Sequence, residues 1–128
     1  MRRMLIAAAL VTVAVALFVV GRSASAQPVR VSTTGAHYAA TVVIDDPSPG
    51  RGTVEVVVER GEADTVHVSA VMTGMGHATP ELTATEKTRG HFTAEGDLFT
   101  MTGGWDLTVR LDGPSGTEDL TVRTLITE

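Results

Sequence analysis

A two-residue hydrophobic period runs through most of this chain and leaves it few folds to choose from. Tyr38, Ala40, Val42 and Ile44 share one phase, and Val54, Val56 and Val58 share the next, flanked by Thr53, Glu55 and Glu59. Val66, Val68, Ala70 and Met72 follow, opposed by His67, Ser69 and Thr73. Trp105, Leu107, Val109 and Leu111 alternate as cleanly, and Leu120, Val122, Thr124 and Ile126 close the chain. Successive side chains of a strand point to opposite faces, so each run reads as a strand with one wet face and one buried face. Leu82 with Ala84, and Phe92 with Ala94, mark shorter strands of the same kind.

Turn formers punctuate these runs at Asp45–Gly52, Arg60–Asp64, Lys87–Gly90, Gly96-Asp97 and Asp112–Gly116. The count comes to about seven strands at spacings of roughly eight to twelve residues, with no amphipathic helix between them. The expectation is an all-β chain, an immunoglobulin-like antiparallel β-sandwich of about seven strands, preceded by an N-terminal hydrophobic leader helix.

That leader is a separate object. Arg2 and Arg3 precede an apolar run from Leu5 to Val20, and Ala24-Ser25-Ala26 has the small-x-small form cut by signal peptidases. Residues 1–26 read as a cleaved signal peptide or, alternatively, as a membrane anchor over residues 4–21, since a run of about 18 apolar residues is at the short end of what spans a bilayer. Either reading places the remainder outside the cytoplasmic membrane. Residues 27–35 are polar and aperiodic and read as a linker, and residues 36–128 as one domain.

Charge and cysteine usage remove several functions. Three of the ten Lys and Arg (Arg2, Arg3, Arg22) precede Gln27 and all fifteen Asp and Glu follow it, leaving the exported part with a formal net charge of −8. Such a surface repels phosphate backbones and argues against nucleic acid as a partner. With no cysteine, the fold has no disulfide, and thiolate metal sites and cysteine nucleophiles are absent. Any soft-metal ligand must be methionine or histidine.

Those residues concentrate in Met72-Thr-Gly-Met75-Gly-His77. If successive strands run antiparallel, the loops at 45–52, 73–80 and 96–104 gather at one end of the sandwich, and those at 60–64, 87–90 and 112–116 at the other. Met72, Met75, His77 and Met101 then share an end, whereas His37, His67 and His91 start strands at the opposite end and read as solvated. Thioether sulfur is soft and needs no deprotonation, so two sulfurs and one imidazole favour Cu(I) over hard cations and over zinc. Competing readings stand beside this one. Met72 is in phase with its strand's inward face and Met101 shares a phase with Phe99, so both fit a core role. Met75 and His77 lie past the strand, out of core phase, and fit either a site or a sulfur-rich turn.

Catalysis finds little support. His67 and Ser69 share an outward face with no third group to orient the imidazole, and the carboxylates are dispersed. Asp45-Asp46 lacks the further oxygen donors that calcium needs.

The chain resembles YtkA-like domains, related to the soluble part of FixH, in the order of Gly35-Ala-His-Tyr38, the Pro47–Gly52 turn, Met72-Thr-Gly-Met75-Gly-His77, Gly90-His-Phe92 and Phe99-Thr-Met101-Thr-Gly103-Gly-Trp105-Asp-Leu107. The resemblance covers nearly all of the exported part. It implies an exported or membrane-tethered sandwich associated with copper handling and with assembly of copper-containing oxidases. By position, Met75, His77 and Met101 match the family's metal-binding motif and Trp105 its structural tryptophan. In place of the usual Met-Pro ahead of Met-Gly-His, this chain has Met72-Thr-Gly, and a lipoprotein cysteine is missing. The expectation is a non-enzymatic, extracytoplasmic copper-binding accessory protein holding Cu(I) through Met75, His77 and Met101, with Met72 as a further donor, and passing it to a copper-receiving or membrane-protein partner. The alternative is a metal-free module that docks the same end onto a membrane complex. Membrane contact is expected only through an uncleaved leader.

Overall fold

A computed structural model describes residues 27–128. The leader helix, cleavage site and anchor expected over residues 1–26 lie outside that range. The described chain is all strand and turn: β1 Val29–Thr34, β2 Ala39–Ile44, β3 Gly50–Arg60, β4 Thr65–Met72, β5 His77–Ala78, β6 Leu82–Thr83, β7 Thr85–Thr88, β8 His91–Phe99, β9 Gly103–Gly113 and β10 Gly116–Ile126.

The alternating runs build two antiparallel sheets. One has the order β1-β2-β3-β8-β7 and the other β10-β9-β4-β5, with β6 also paired to β4. Their inward faces meet in a single core of Tyr38, Val42, Ile44, Val56, Val68, Phe92, Trp105, Leu107, Val109, Leu111 and their neighbours. Burying one face of each sheet against the other is what makes strands of this pattern stable as a sandwich.

Three expectations are corrected. Val29–Thr34, read as linker, pairs along its whole length with β2, from Val29 opposite Ile44 to Thr34 opposite Ala39. It is an edge strand whose polar residues face water, and edge strands are commonly polar because that discourages pairing with other chains. Gly96-Asp97, read as a turn, lies inside β8. Gly96 is buried there, and a β-carbon on it would come within 2.8 Å of the Leu82 side chain. The glycine is a notch for Leu82 and not a bend. The strand count also rises to ten, because β1, β5 and β7 join the seven expected strands, β5 on the edge of one sheet and β1 and β7 on the edges of the other.

The end at which β1 starts and β2 finishes carries the 45–49 loop, the 73–76 turn and the 100–102 turn, and we call it the sulfur end. The opposite, charged end carries the turns at 61–64, 89–90 and 114–115.

Candidate functional site

The sulfur end is organised by a β-hairpin. Met72 ends β4 and His77 opens β5 directly opposite it, with Thr73-Gly74-Met75-Gly76 as the turn. Gly74 and Gly76 both have positive φ, 86° and 62°, a conformation that glycine adopts without the steric penalty of a β-carbon. The Met75 amide donates to the Met72 carbonyl at 3.4 Å, and the Thr79 amide and hydroxyl both donate to the Ala70 carbonyl, which ties the returning arm to β4.

This pairing corrects the reading of His77 as out of core phase. Residues directly opposite each other in an antiparallel pair put their side chains on one face. Met72 is opposite His77 on one side and Trp105 on the other, and Trp105 is opposite Thr124. His77, Met72, Trp105 and Thr124 therefore form one row on the inward face of the second sheet. His77 stands at its exposed margin, its ring at 73° to Trp105 with centroids 6.3 Å apart.

The Met101 backbone meets the same tryptophan from the connection between the sheets. It lies in the Thr100–Thr102 turn, where the chain crosses from β8 to β9. The Trp105 indole N–H donates to the Met101 carbonyl at 3.0 Å, fixing the turn over the buried ring. Phe99 packs edge-on against Trp105 as well, centroids 5.7 Å apart. Gly103, with φ of 135°, has a bare Cα at which a β-carbon would lie 2.5 Å from the Met72 terminal methyl. The end of the Met72 side chain thus packs two residues beyond Met101.

The four sulfur- and nitrogen-bearing side chains differ in exposure. Met72 is buried, with 8% of its surface exposed, and fills the core at the sandwich end. Met75, at the hairpin apex, is 67% exposed, and Met101 is 40% exposed, so the core role its phase suggested is not the one it has. All four belong to one end. Met72 pairs with Trp105, the His77 ring stands edge-on to it and the Met101 carbonyl accepts its indole N–H, while Met75 lies exposed in the hairpin turn. Trp105 is the organising residue that sequence reasoning treated only as structural; its phase marks it as inward, but its cross-strand neighbours are not legible in the sequence.

The other histidines lie elsewhere. His37 precedes β2, His91 opens β8, and His67 lies on β4, with its Nδ1 3.3 Å from the Thr83 hydroxyl and 3.6 Å from the Glu81 carboxylate. Among the described residues no three His, Asp or Glu side chains cluster as a hard-metal site would require. An open cavity of about 670 Å³ lies at the charged end, lined by Gly61–Asp64 and Glu86–Gly90 and bordered by carboxylates, Lys87 and Arg89. It offers no sulfur and no imidazole.

What defines the class of this protein is therefore its architecture: a small β-sandwich with thioethers, an imidazole and an indole at one end. No family model, curated protein or solved structure matches the chain.

Proposed function

We propose that this chain is an exported, immunoglobulin-like sandwich of YtkA-like type that binds Cu(I) at its sulfur end as cargo and hands it to a partner. Met75, His77 and Met101 are the donors, with Met72 behind them. The observation that carries the reading is that the His77 ring and the Met101 backbone carbonyl both contact Trp105, although His77 lies in β5 and Met101 in the β8–β9 turn, 24 residues apart. The chemistry fits. Neutral thioethers and one imidazole bind a soft monovalent ion without concentrating charge at the rim of an apolar core, where unpaired charge is costly. The exposure of Met75 and Met101 suits a cargo ion, which must be able to leave by ligand exchange.

The test is a Cu(I) titration under reducing conditions. Wild-type protein should saturate near one equivalent, and Met75→Leu combined with His77→Ala should abolish binding while the fold is kept, because both side chains are exposed. Equal binding by the two proteins would reject the proposal.

A second reading has an observation of its own. The exposed large apolar residues among those described are Val71, Met75, Met101 and Leu125, and all four lie at the sulfur end. A metal-free docking module would present such a surface. A ligand that binds only the folded state stabilises it by about 2.7 kcal/mol at a hundredfold excess over its dissociation constant. A melting temperature that rises with Cu(I) and falls back with a chelator favours the copper reading; an unchanged one favours docking.

A further inference from the structure

We infer that the uncut apolar segment Leu5–Val20 tethers the domain to a membrane by its sulfur end, so that Met75, Met101, Val71 and Leu125 face the bilayer. The inference rests on the exported reading and is independent of copper.

Three observations converge on it. The first is where the chain enters the sandwich. Val29 opens β1 opposite Ile44, the last residue of β2, so Gln27 and Pro28 emerge beside the 45–49 loop, at the same end as the hairpin tip. The second is the length of the connection. Only residues 21–28 separate the apolar run from β1, and eight residues reach at most about 28 Å when fully extended. The strands β9 and β10 have 11 residues each, so the sandwich is about 35 Å long at the usual rise per residue. To turn its charged end to the membrane, the domain would need a connection that runs back along its whole length, and eight residues are too few.

The third is the distribution of exposed apolar groups. Val71 is the penultimate residue of β4 and Leu125 that of β10; they are 41% and 65% exposed, on the outer face of the second sheet beside the sulfur end. Gly104, opposite Leu125, adds no side chain between them and the Met101 turn. A tether raises the effective concentration of surface and domain to the millimolar range, so four scattered apolar side chains are enough for a resting contact. Asp45 and Asp46 are exposed at the same end and form no ion pair among the described residues. Their charge is repelled by anionic headgroups, so the surface that fits is zwitterionic lipid. A site held this way is open to acceptors embedded in the membrane.

The cysteine-free chain makes the orientation measurable. The full chain, leader included, would be reconstituted in phosphatidylcholine vesicles whose headgroups carry a nitroxide quencher. A fluorophore would be attached at Thr102→Cys in the sulfur-end turn, or at Arg89→Cys at the charged end, where the native side chain is 93% exposed. The expected result is retention on the vesicles with strong quenching at position 102 and little at 89. Equal quenching, stronger quenching at 89, or failure to remain with the vesicles would overturn the inference. So would recovery from a bacterial host of soluble protein beginning at Gln27. Energy transfer between labels at position 102 without lipid quenching would assign the end to a second copy instead. Cu(I) uptake measured on the same vesicles separates this orientation from the copper reading, because either result can stand without the other.

Discussion

The two ends of this sandwich are held together by different physics. At the charged end the Tyr38 hydroxyl, on a fully buried ring, lies 2.7 Å from the Gly116 carbonyl and 3.0 Å from that of Glu62. The Glu118 carboxylate accepts from the His37 and Tyr38 amides, the Arg60 guanidinium donates to the Gly35 carbonyl, and the Glu62 amide donates to the Ser115 hydroxyl. These bonds join the 35–38 connection to the turns at 61–64 and 114–115. At the sulfur end a buried indole does the same work with one hydrogen bond and two edge-on ring contacts, and the turns around it keep their thioethers exposed. A hydrogen-bonded end is closed to exchange with other ligands, whereas an apolar end with exposed soft donors is available for it.

The largest expected effect comes from removing the indole. Trp105→Ala should lower stability by about 3–5 kcal/mol, as buried aromatic truncations do, and a denaturant titration reads it directly. A loss below about 1 kcal/mol would mean that the sulfur end is not organised by this residue.

A smaller effect is expected at the charged end. Tyr38→Phe leaves two carbonyls without their hydroxyl partner and should lower stability by about 1–3 kcal/mol. The same residue makes that end sensitive to alkali. Burial, followed by the charges of Asp112, Asp64 and Glu118, raises the Tyr38 pKa above the ordinary value of 10.0. The folded chain then holds this proton to higher pH than the unfolded chain does. The stabilisation is complete below about pH 10 and is lost as pH rises through the folded value. Because Tyr38 is the only tyrosine, phenolate absorbance reports it alone, and it should appear together with unfolding. Phenolate forming near pH 10 in a chain that is still folded would contradict this description of the charged end.

The smallest effect belongs to the inward row beside Trp105. The Thr124 hydroxyl is buried with no hydrogen-bond partner among the described residues. Thr124→Val keeps the shape and removes the unpaired group, so it should be neutral or stabilise by up to about 1 kcal/mol in thermal melts. Marked destabilisation would mean that the hydroxyl has a partner at this end.

Much of the scaffold is legible because β4, Trp105–Leu111 of β9 and Leu120–Ile126 of β10 alternate over seven or eight residues, and alternation of that length has no helical reading. The same pattern sorts the turns between the two ends, and so the sequence alone puts Met101 at the end of Met75 and His77. What escaped reading has specific causes. β1 is a polar edge strand, and Val29, Val31 and Thr33 are only half-buried, too weak a signal against a Ser/Thr-rich background. Gly96 carries the signature of a turn, but its small size makes room for Leu82, a contact between residues 14 apart. β5 has two residues, too few for any period, so the phase of His77 comes from its pairing with Met72 and not from its own neighbours. The candidate site is thus legible as a set of soft side chains at one end, but its arrangement around Trp105 is not.

The measurement that bears most directly on the role of the sulfur end is X-ray absorption at the copper edge of protein loaded with one equivalent of Cu(I). The predicted first shell contains sulfur at about 2.3 Å and a single imidazole nitrogen at about 2.0 Å, by analogy with other nitrogen and sulfur sites, with the sulfur contribution reduced in Met75→Leu and nitrogen lost in His77→Ala. A shell of oxygen and nitrogen alone, or a sulfur signal left unchanged by the methionine substitutions at both 75 and 101, would contradict it.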